Sequence, residues 1–342
     1  MKLSARAVHA RMREPFVTAG GSVQTRELAL VTLTGSDGAV GYGEAAPLAP
    51  VRIDECLAAI EECRGPLQEL GEAPREQLLE ACAQVALLAP ALAAIDVALW
   101  DIEARRRRVP VWRLLGVTAR PDPVEVNATI AAADRAAAAA AAGEALKAGF
   151  RCVKVKVGLG DDAGRLAAVR AASGASMAIR IDANGAWSVD EAIASLRALE
   201  PIGLELCEEP VHGVDELASV HERTPVKLAL DESAVLPGAL ERRAADAACL
   251  KIAAGGGLTG VLAAARRARA SGYELYLAST LDGPLGIAAA LHACAALGPD
   301  RPCGLATLAL FADRTDPLPA RDGKIELPSG PGLGDGLTGW YD

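Results

Sequence analysis

The hydrophobic pattern changes character part-way along the chain. Within residues 3–43, short apolar runs predict strands joined by turns. Residues 30–33 read as a strand, Ser36-Asp37-Gly38 as a turn and 39–42 as the returning strand. Apolar positions then recur at helical spacing over 53–70, 74–88 and 90–107, and Pro110 and Gly116 punctuate the end of that stretch. These elements predict a small α+β domain spanning residues 1–120.

Beyond it, short apolar runs alternate with alanine-rich helical stretches. The candidate strands are 124–130, 152–157, 178–182, 204–208, 226–231, 248–251, 274–278 and 304–308. Strands separated by helices in this way predict a parallel α/β barrel over residues 121–312, with a doubly wound open sheet as the alternative. Residues 313–342, rich in Pro and Gly, are expected to pack back on the first domain.

Composition agrees with a barrel plus a smaller domain. The 342 residues are 51% hydrophobic and 23% charged, which is globular. Aromatics are only 3%, so the core must be built from Ala, Val, Leu and Ile. The net charge of −9 repels nucleic acid and anionic membranes, and the basic run 105–108 reads as an exposed helix end. The eight cysteines form no C-x-x-C pair and read as buried thiols of a reducing, cytoplasmic setting. No signal peptide is read at the N-terminus. The most membrane-like stretch, 81–100, holds Pro90 and Asp96 and reads as a buried helix.

Parallel barrel strands are buried on both faces, so charges at their ends are informative. Lys154 and Lys156 share one face of a strand; their mutual repulsion would favour losing a proton from one, making it a general base. Taken alone, they could equally be solvated lysines of an edge strand. Asp182, Glu208 and Asp231 close the next three strands. Each could be a helix N-cap, but three converging carboxylates repel unless a hard cation such as magnesium sits among them. Lys251 ends the following strand, across the mouth from the lysine pair. This set suits removal of a proton next to a carboxylate, where a base and a cation must act together.

The chain resembles the muconate-lactonizing subgroup of the enolase superfamily. The resemblance lies in VKVKVG at 153–158, RIDANGAW at 180–187, CEEP at 207–210, LDES at 230–233 and LKIAAGGGLTG at 250–260. GYGEAAPL at 41–48 and PALAAIDVALWD at 90–101 resemble the capping domain and its junction with the barrel. The resemblance implies a modified TIM barrel, (β/α)7β, under an α+β cap. It implies Lys156 as base, Lys154 as its partner, Lys251 as the opposite lysine, and Asp182, Glu208 and Asp231 as ligands of Mg2+, or of Mn2+ in its place.

Within the subgroup the chain looks most like o-succinylbenzoate synthases. PFVTAGGSVQTRE at 15–27 resembles their substrate-closing loop, and CGLATLALF at 303–311 their last strand. Arg180, Asn184, Ser279 and Thr280 are then expected to bind substrate. The implied activity is a lyase step, a dehydration in menaquinone biosynthesis on a small carboxylate. Asp282 adds a carboxylate beside that pocket which could hold an ammonium group, as an amino-acid or dipeptide epimerase would need; racemisation or epimerisation of N-succinylamino acids or dipeptides is the alternative, with muconate-type cycloisomerisation another. Against dipeptides, 304–310 lacks a D-x-D. A non-catalytic scaffold is disfavoured by the intact set of lysines and carboxylates. The four histidines show no ligand spacing, Gly255-Gly256-Gly257 reads as a tight turn, and Glu209 points away from Glu208 along an extended chain. Thr18, Gly20 and Ser22 are further substrate candidates. Relatives often assemble, so a homo-oligomer is compatible with this reading.

Overall fold

A long antiparallel hairpin starts the chain. β1 (Lys2–Thr18) and β2 (Gly21–Thr34) pair from Lys2↔Thr34 to Thr18↔Gly21, with a register shift between Arg11 and Phe16, and β3 (Val40–Ala45) returns beside β2. The computed structural model describes residues 1–131, 134–312 and 314–342; Asp313, where the third segment is expected to begin, lies outside them. Residues 15–27, expected as a loop, instead form the tip of this hairpin.

Five helices follow: α1 (Ile53–Glu62), α2 (Arg64–Leu70), α3 (Arg75–Ala83), α4 (Ala89–Arg106) and α5 (Val111–Leu114). The single helix expected over 53–70 is broken at Cys63. Pro66 explains the break, because its ring would clash with the carbonyl four residues back, at Glu62. Helix α4 lies directly on β3. A Cβ at Gly41 would come within 2.4 Å of the Ala98 carbonyl oxygen, and one at Gly43 within 2.0 Å of that of Ala94. The two glycines let backbone approach backbone, and small residues Ala91, Ala94 and Ala98 line the buried helix face.

The rest alternates as β4 (Val124–Glu125), β5 (Ala128–Ile130), α6 (Arg135–Lys147), β6 (Cys152–Lys156), α7 (Asp162–Ser173), β7 (Ala178–Asp182), α8 (Val189–Leu199), β8 (Leu206–Glu208), α9 (Val214–His221), β9 (Leu228–Leu230), β10 (Ala247–Leu250), α10 (Leu258–Ala270), β11 (Glu274–Leu277) and α11 (Pro284–Leu297). Strands β5 to β11 form one parallel sheet in sequential order. Two departures from the expected pattern stand out. Between β9 and β10 the helix is replaced by a 3-10 turn, Glu232–Val235, and irregular chain. The eighth strand is reduced to Cys303 and Gly304, which bridge in parallel to Val126 and Ala278. That bridge joins both edges of the sheet, so the barrel closes and the open-sheet alternative falls. β12 (Lys324–Ile325) pairs with β4 outside the barrel. The fold is the modified barrel with its separate antiparallel sheet.

Buried His292 ties three parts together. Its Nδ1 accepts from the Trp112 amide at 3.3 Å and its Nε2 meets the Leu333 carbonyl oxygen at 3.2 Å, linking α11 to α5 and the C-terminal segment. Burial depresses its pKa from 6.5 to about 4. The unfolded chain therefore binds a proton between those values that the folded chain does not. Stability is full above 6.5 and falls as pH drops toward 4. The expected loss at pH 4 is on the order of 3 kcal/mol. Urea midpoints measured from pH 7.5 to pH 4.5 should fall more steeply for the wild type than for His292→Gln; parallel curves would contradict this.

Candidate active site

The barrel gathers the sequence-predicted charges at one end. Lys154 and Lys156 project from β6, while Val153 and Val155, which alternate with them, are fully buried. Asp182 and Glu208 terminate β7 and β8, and Asp231 and Lys251 directly follow β9 and β10. In register, Lys156 pairs with Asp182, and Asp182 with Glu208.

These groups are in direct contact. Lys154 Nζ lies 2.8 Å from Asp182 Oδ2 and also touches Glu208 Oε2. Lys156 Nζ is 2.6 Å from Asp182 Oδ2 and donates to Asn184 Oδ1 at 2.9 Å. Lys251 Nζ is 2.5 Å from Asp231 Oδ1. Burial would favour neutral lysine at position 154, but Asp182 and Glu208 outweigh it and hold the ammonium well above its ordinary pKa. Lys251 is raised in the same way, burial being overcome by Asp231 and then Glu232. Burial would raise Asp182, yet the two lysines hold it well below the usual carboxylate range. Mutual repulsion of Lys154 and Lys156 therefore does not decide Lys154's protonation; the carboxylates around it do.

The carboxylates suit a hard cation. Glu208 Oε2 and Asp231 Oδ1 are buried and accept no aligned hydrogen bond, although lysine charges crowd them. Buried oxygens in this condition are what a divalent ion with oxygen preference satisfies. Tyr276, from β11, donates to the other Glu208 oxygen at 2.5 Å and fixes its rotation. Glu209 acts from outside the cluster. At φ +38° it turns its buried carboxylate to the Asp231 amide at 2.8 Å and the Ser233 amide at 2.9 Å. It thus orients the backbone that carries Asp231.

A cavity of about 470 Å3 opens above these groups, lined by Lys154, Lys156, Asn184, Asp231, Glu232 and Lys251 at its charged end. Phe16, Thr18 and residues 20–23 of the hairpin tip form one wall, with Leu48, Thr129, Ser279, Thr280, Gly304 and Thr307 opposite. Ser279 and Thr307 hydroxyls pair at 2.8 Å. Two expectations need correction. Arg180 does not line this cavity; it shares the inward face of β7 with Asp182 but sits deeper, bonded to Glu205 Oε2 at 2.6 Å and the Pro302 carbonyl oxygen at 2.7 Å. Asp282 turns away as well. Its Oδ1 is taken by the Thr280 amide and hydroxyl, and it faces Glu44 and Arg26 at the contact with β2 and β3. It does not line the cavity. Tyr276, Glu232, Thr307 and Phe16 were not singled out from sequence. A tyrosine inside an apolar parallel strand was the one available signal, at Tyr276.

Residues 136–338 match the enolase C-terminal domain-like family, and residues 2–116 match the N-terminal domain of mandelate racemase / muconate lactonizing enzyme. The chain belongs to the enolase superfamily. It is an enzyme of that superfamily, whose members include solved structures with magnesium bound. One is the dipeptide epimerase of Enterococcus faecalis V583, complexed with Mg and L-Leu-L-Tyr, at TM-score 0.87 and 26% identity, covering 97% of this chain and 98% of that one. The L-Ala-D/L-Glu epimerase of Bacillus subtilis is 33% identical over 82% of this chain and 81% of its own length. The o-succinylbenzoate synthase of Mycobacterium tuberculosis is 42% identical, over 61% of this chain and 65% of its own. Among the described residues no helix is long and apolar enough to cross a membrane.

Proposed function

We propose that the chain moves the proton on the carbon next to a carboxylate, racemising or epimerising an N-acylated amino acid, a class that includes N-succinylamino acids and dipeptides. The opposed lysines carry this reading. β6 and β10 stand four places apart in the sheet order, so Lys156 and Lys251 reach one cavity from opposite walls. Dehydration, the first expectation from sequence, becomes the second reading, because two epimerases are matched over 81% and 85% of their own length and the o-succinylbenzoate synthase over 65%.

A substrate carboxylate drawn to the cluster would set its α-carbon between the two lysines. Lys156 takes the proton from one face and Lys251 supplies one to the other. Asp182, Glu208 and Asp231 would hold Mg2+ (or Mn2+), which when bound neutralises the substrate carboxylate and the charge that grows as the proton leaves. Lys154 stays protonated and adds positive charge from below. Asn184 orients Lys156 through its amide oxygen. The hairpin tip, with Phe16 above Lys156 at 5.8 Å from the ring centre, shields the site from water.

Apart from Asp231 and Glu232, the described lining residues offer no carboxylate, so the far wall suits an ammonium-free substrate, either an N-succinylamino acid or that of o-succinylbenzoate synthase, over a dipeptide. The test is α-proton exchange in D2O followed by NMR on a panel of N-succinylamino acids and dipeptides. Dehydration of 2-succinyl-6-hydroxy-2,4-cyclohexadiene-1-carboxylate is followed in parallel. Exchange with inversion supports proton transfer between faces. Aromatic product without inversion would reverse the order of the two readings, and the absence of both activities would retire both.

A further inference from the structure

We propose that Asp96, on helix α4 of the N-terminal region, is a positioning residue for Lys251. It rests on the two-lysine reading above, and it concerns a carboxylate that lies outside the cavity.

Helix α10 begins without a side-chain cap of its own, because its N-cap residue is Gly257. Asp96 supplies the missing acceptors from another part of the fold. Its Oδ2 accepts from the Thr259 amide at 2.9 Å and its Oδ1 from the Thr259 hydroxyl at 2.6 Å. A carboxylate here meets both the unpaired amide and the positive end of the helix dipole. Trp100 Nε1 donates to the same hydroxyl at 3.0 Å, and the Arg75 guanidinium covers the Trp100 ring at 3.3 Å. Asp96 is fully buried.

The capped turn is short and rigidly tied to Lys251. The Gly255 amide donates to the Lys251 carbonyl oxygen at 2.8 Å, and the Gly257 amide to that of Ile252 at 2.9 Å. Two glycines mark how closely this turn is packed. A Cβ on Gly257, at φ +101°, would lie 2.4 Å from Asp96 Oδ2. A Cβ on Gly260 would lie 1.9 Å from the Gly255 carbonyl oxygen. The Lys251 backbone is thus clamped to the first turn of α10, and that turn is clamped to Asp96. The frame of Lys156, on β6 and β7 across the barrel, makes none of these contacts.

The two lysines should therefore respond differently to loss of Asp96. Washout of the α-proton in D2O is measured separately from each enantiomer. The enantiomer whose washout disappears in Lys251→Ala marks the Lys251 face. Asp96→Ala is expected to slow washout on that face by about tenfold to a hundredfold, the cost of a base displaced by up to about 1 Å. Washout on the Lys156 face should stay unchanged. Asp96→Asn, which can still accept from the Thr259 amide, is expected to restore most of the loss. A second measurement needs no substrate: amide hydrogen exchange should quicken over 251–260 in Asp96→Ala and stay unchanged over 152–184. Equal slowing on both faces, or unchanged amide exchange over 251–260, would overturn the proposal. Absence of washout in the wild type beside quickened exchange over 251–260 would instead strike the two-lysine reading.

Discussion

Replacing Lys156 by alanine is expected to cut α-proton washout from one enantiomer by about 10²- to 10⁴-fold, the usual worth of a positioned general base. Washout from the other enantiomer, taken by Lys251, should survive, and net inversion should stop in both directions because either path needs both lysines. Lys251→Ala should give the mirror result. The fold has reason to tolerate the first change: Asp182 keeps Lys154 at 2.8 Å, so no buried carboxylate is left without a cation. NMR of each enantiomer in D2O, with circular dichroism as a folding control, reads the outcome. The same pair of variants separates the two functional readings. In a dehydration, one lysine removes the proton and the other only stabilises charge, so Lys251→Ala would keep washout from the sole productive face. Full retention of washout from both enantiomers in Lys156→Ala would remove this lysine from the chemistry.

Parity and order along the chain made most of the charged cluster legible. Alternation on β6 puts Lys154 and Lys156 on one face, and parallel strands bring successive strand ends to one mouth, so Asp182, Glu208, Asp231 and Lys251 converge without knowledge of the loops. Parity reports a face but not a depth. Arg180 and Asp182 share the inward side of β7, yet two residues of strand rise put Arg180 a layer lower, where Glu205 takes it. Beyond a strand end even the face is lost. Leu281, at φ +59°, reverses the chain and sends Asp282 toward Glu44 and Arg26 instead of the cavity.

Contacts between distant segments were legible least. Glu209 is expected on the opposite side of an extended chain, but at φ +38° the chain is not extended there, and its bonds to the amides of Asp231 and Ser233 depend on how β8 and β9 are juxtaposed. The eighth strand is another case. The apolar run at 304–308 promised a full strand, but only Cys303 and Gly304 bridge before the chain bends into a 3-10 turn at Leu308–Leu310. Charge state is subtler still. Lys154 looks like half of a repelling pair until barrel closure surrounds it with carboxylates, and then its proton is held and not released.

Those same carboxylates set the second large effect, the response to chelation. Treating the protein with EDTA is expected to abolish washout from both enantiomers while leaving the circular dichroism spectrum intact. Activity should go because neither lysine alone can stabilise the charge left on the substrate carboxylate when its α-proton departs. The fold should stay because the cluster balances itself: Lys154 touches Asp182 and Glu208, Lys156 touches Asp182, and Lys251 touches Asp231. Asp182→Asn probes both sides of this balance. It removes one proposed ligand and also the anion shared by Lys154 and Lys156, leaving buried Lys154 in contact with Glu208 and Lys156 in contact with no carboxylate among the described residues. Breaking a buried pair from one side costs about 3–5 kcal/mol. The variant should therefore lose washout and also unfold at lower urea than the EDTA-treated wild type. Added Mg2+ or Mn2+ should restore washout to the chelated wild type once EDTA is dialysed away, and not to Asp182→Asn. Undiminished washout after chelation would remove the cation from the reaction, and an unchanged urea midpoint in Asp182→Asn would show that the lysines do not depend on this carboxylate.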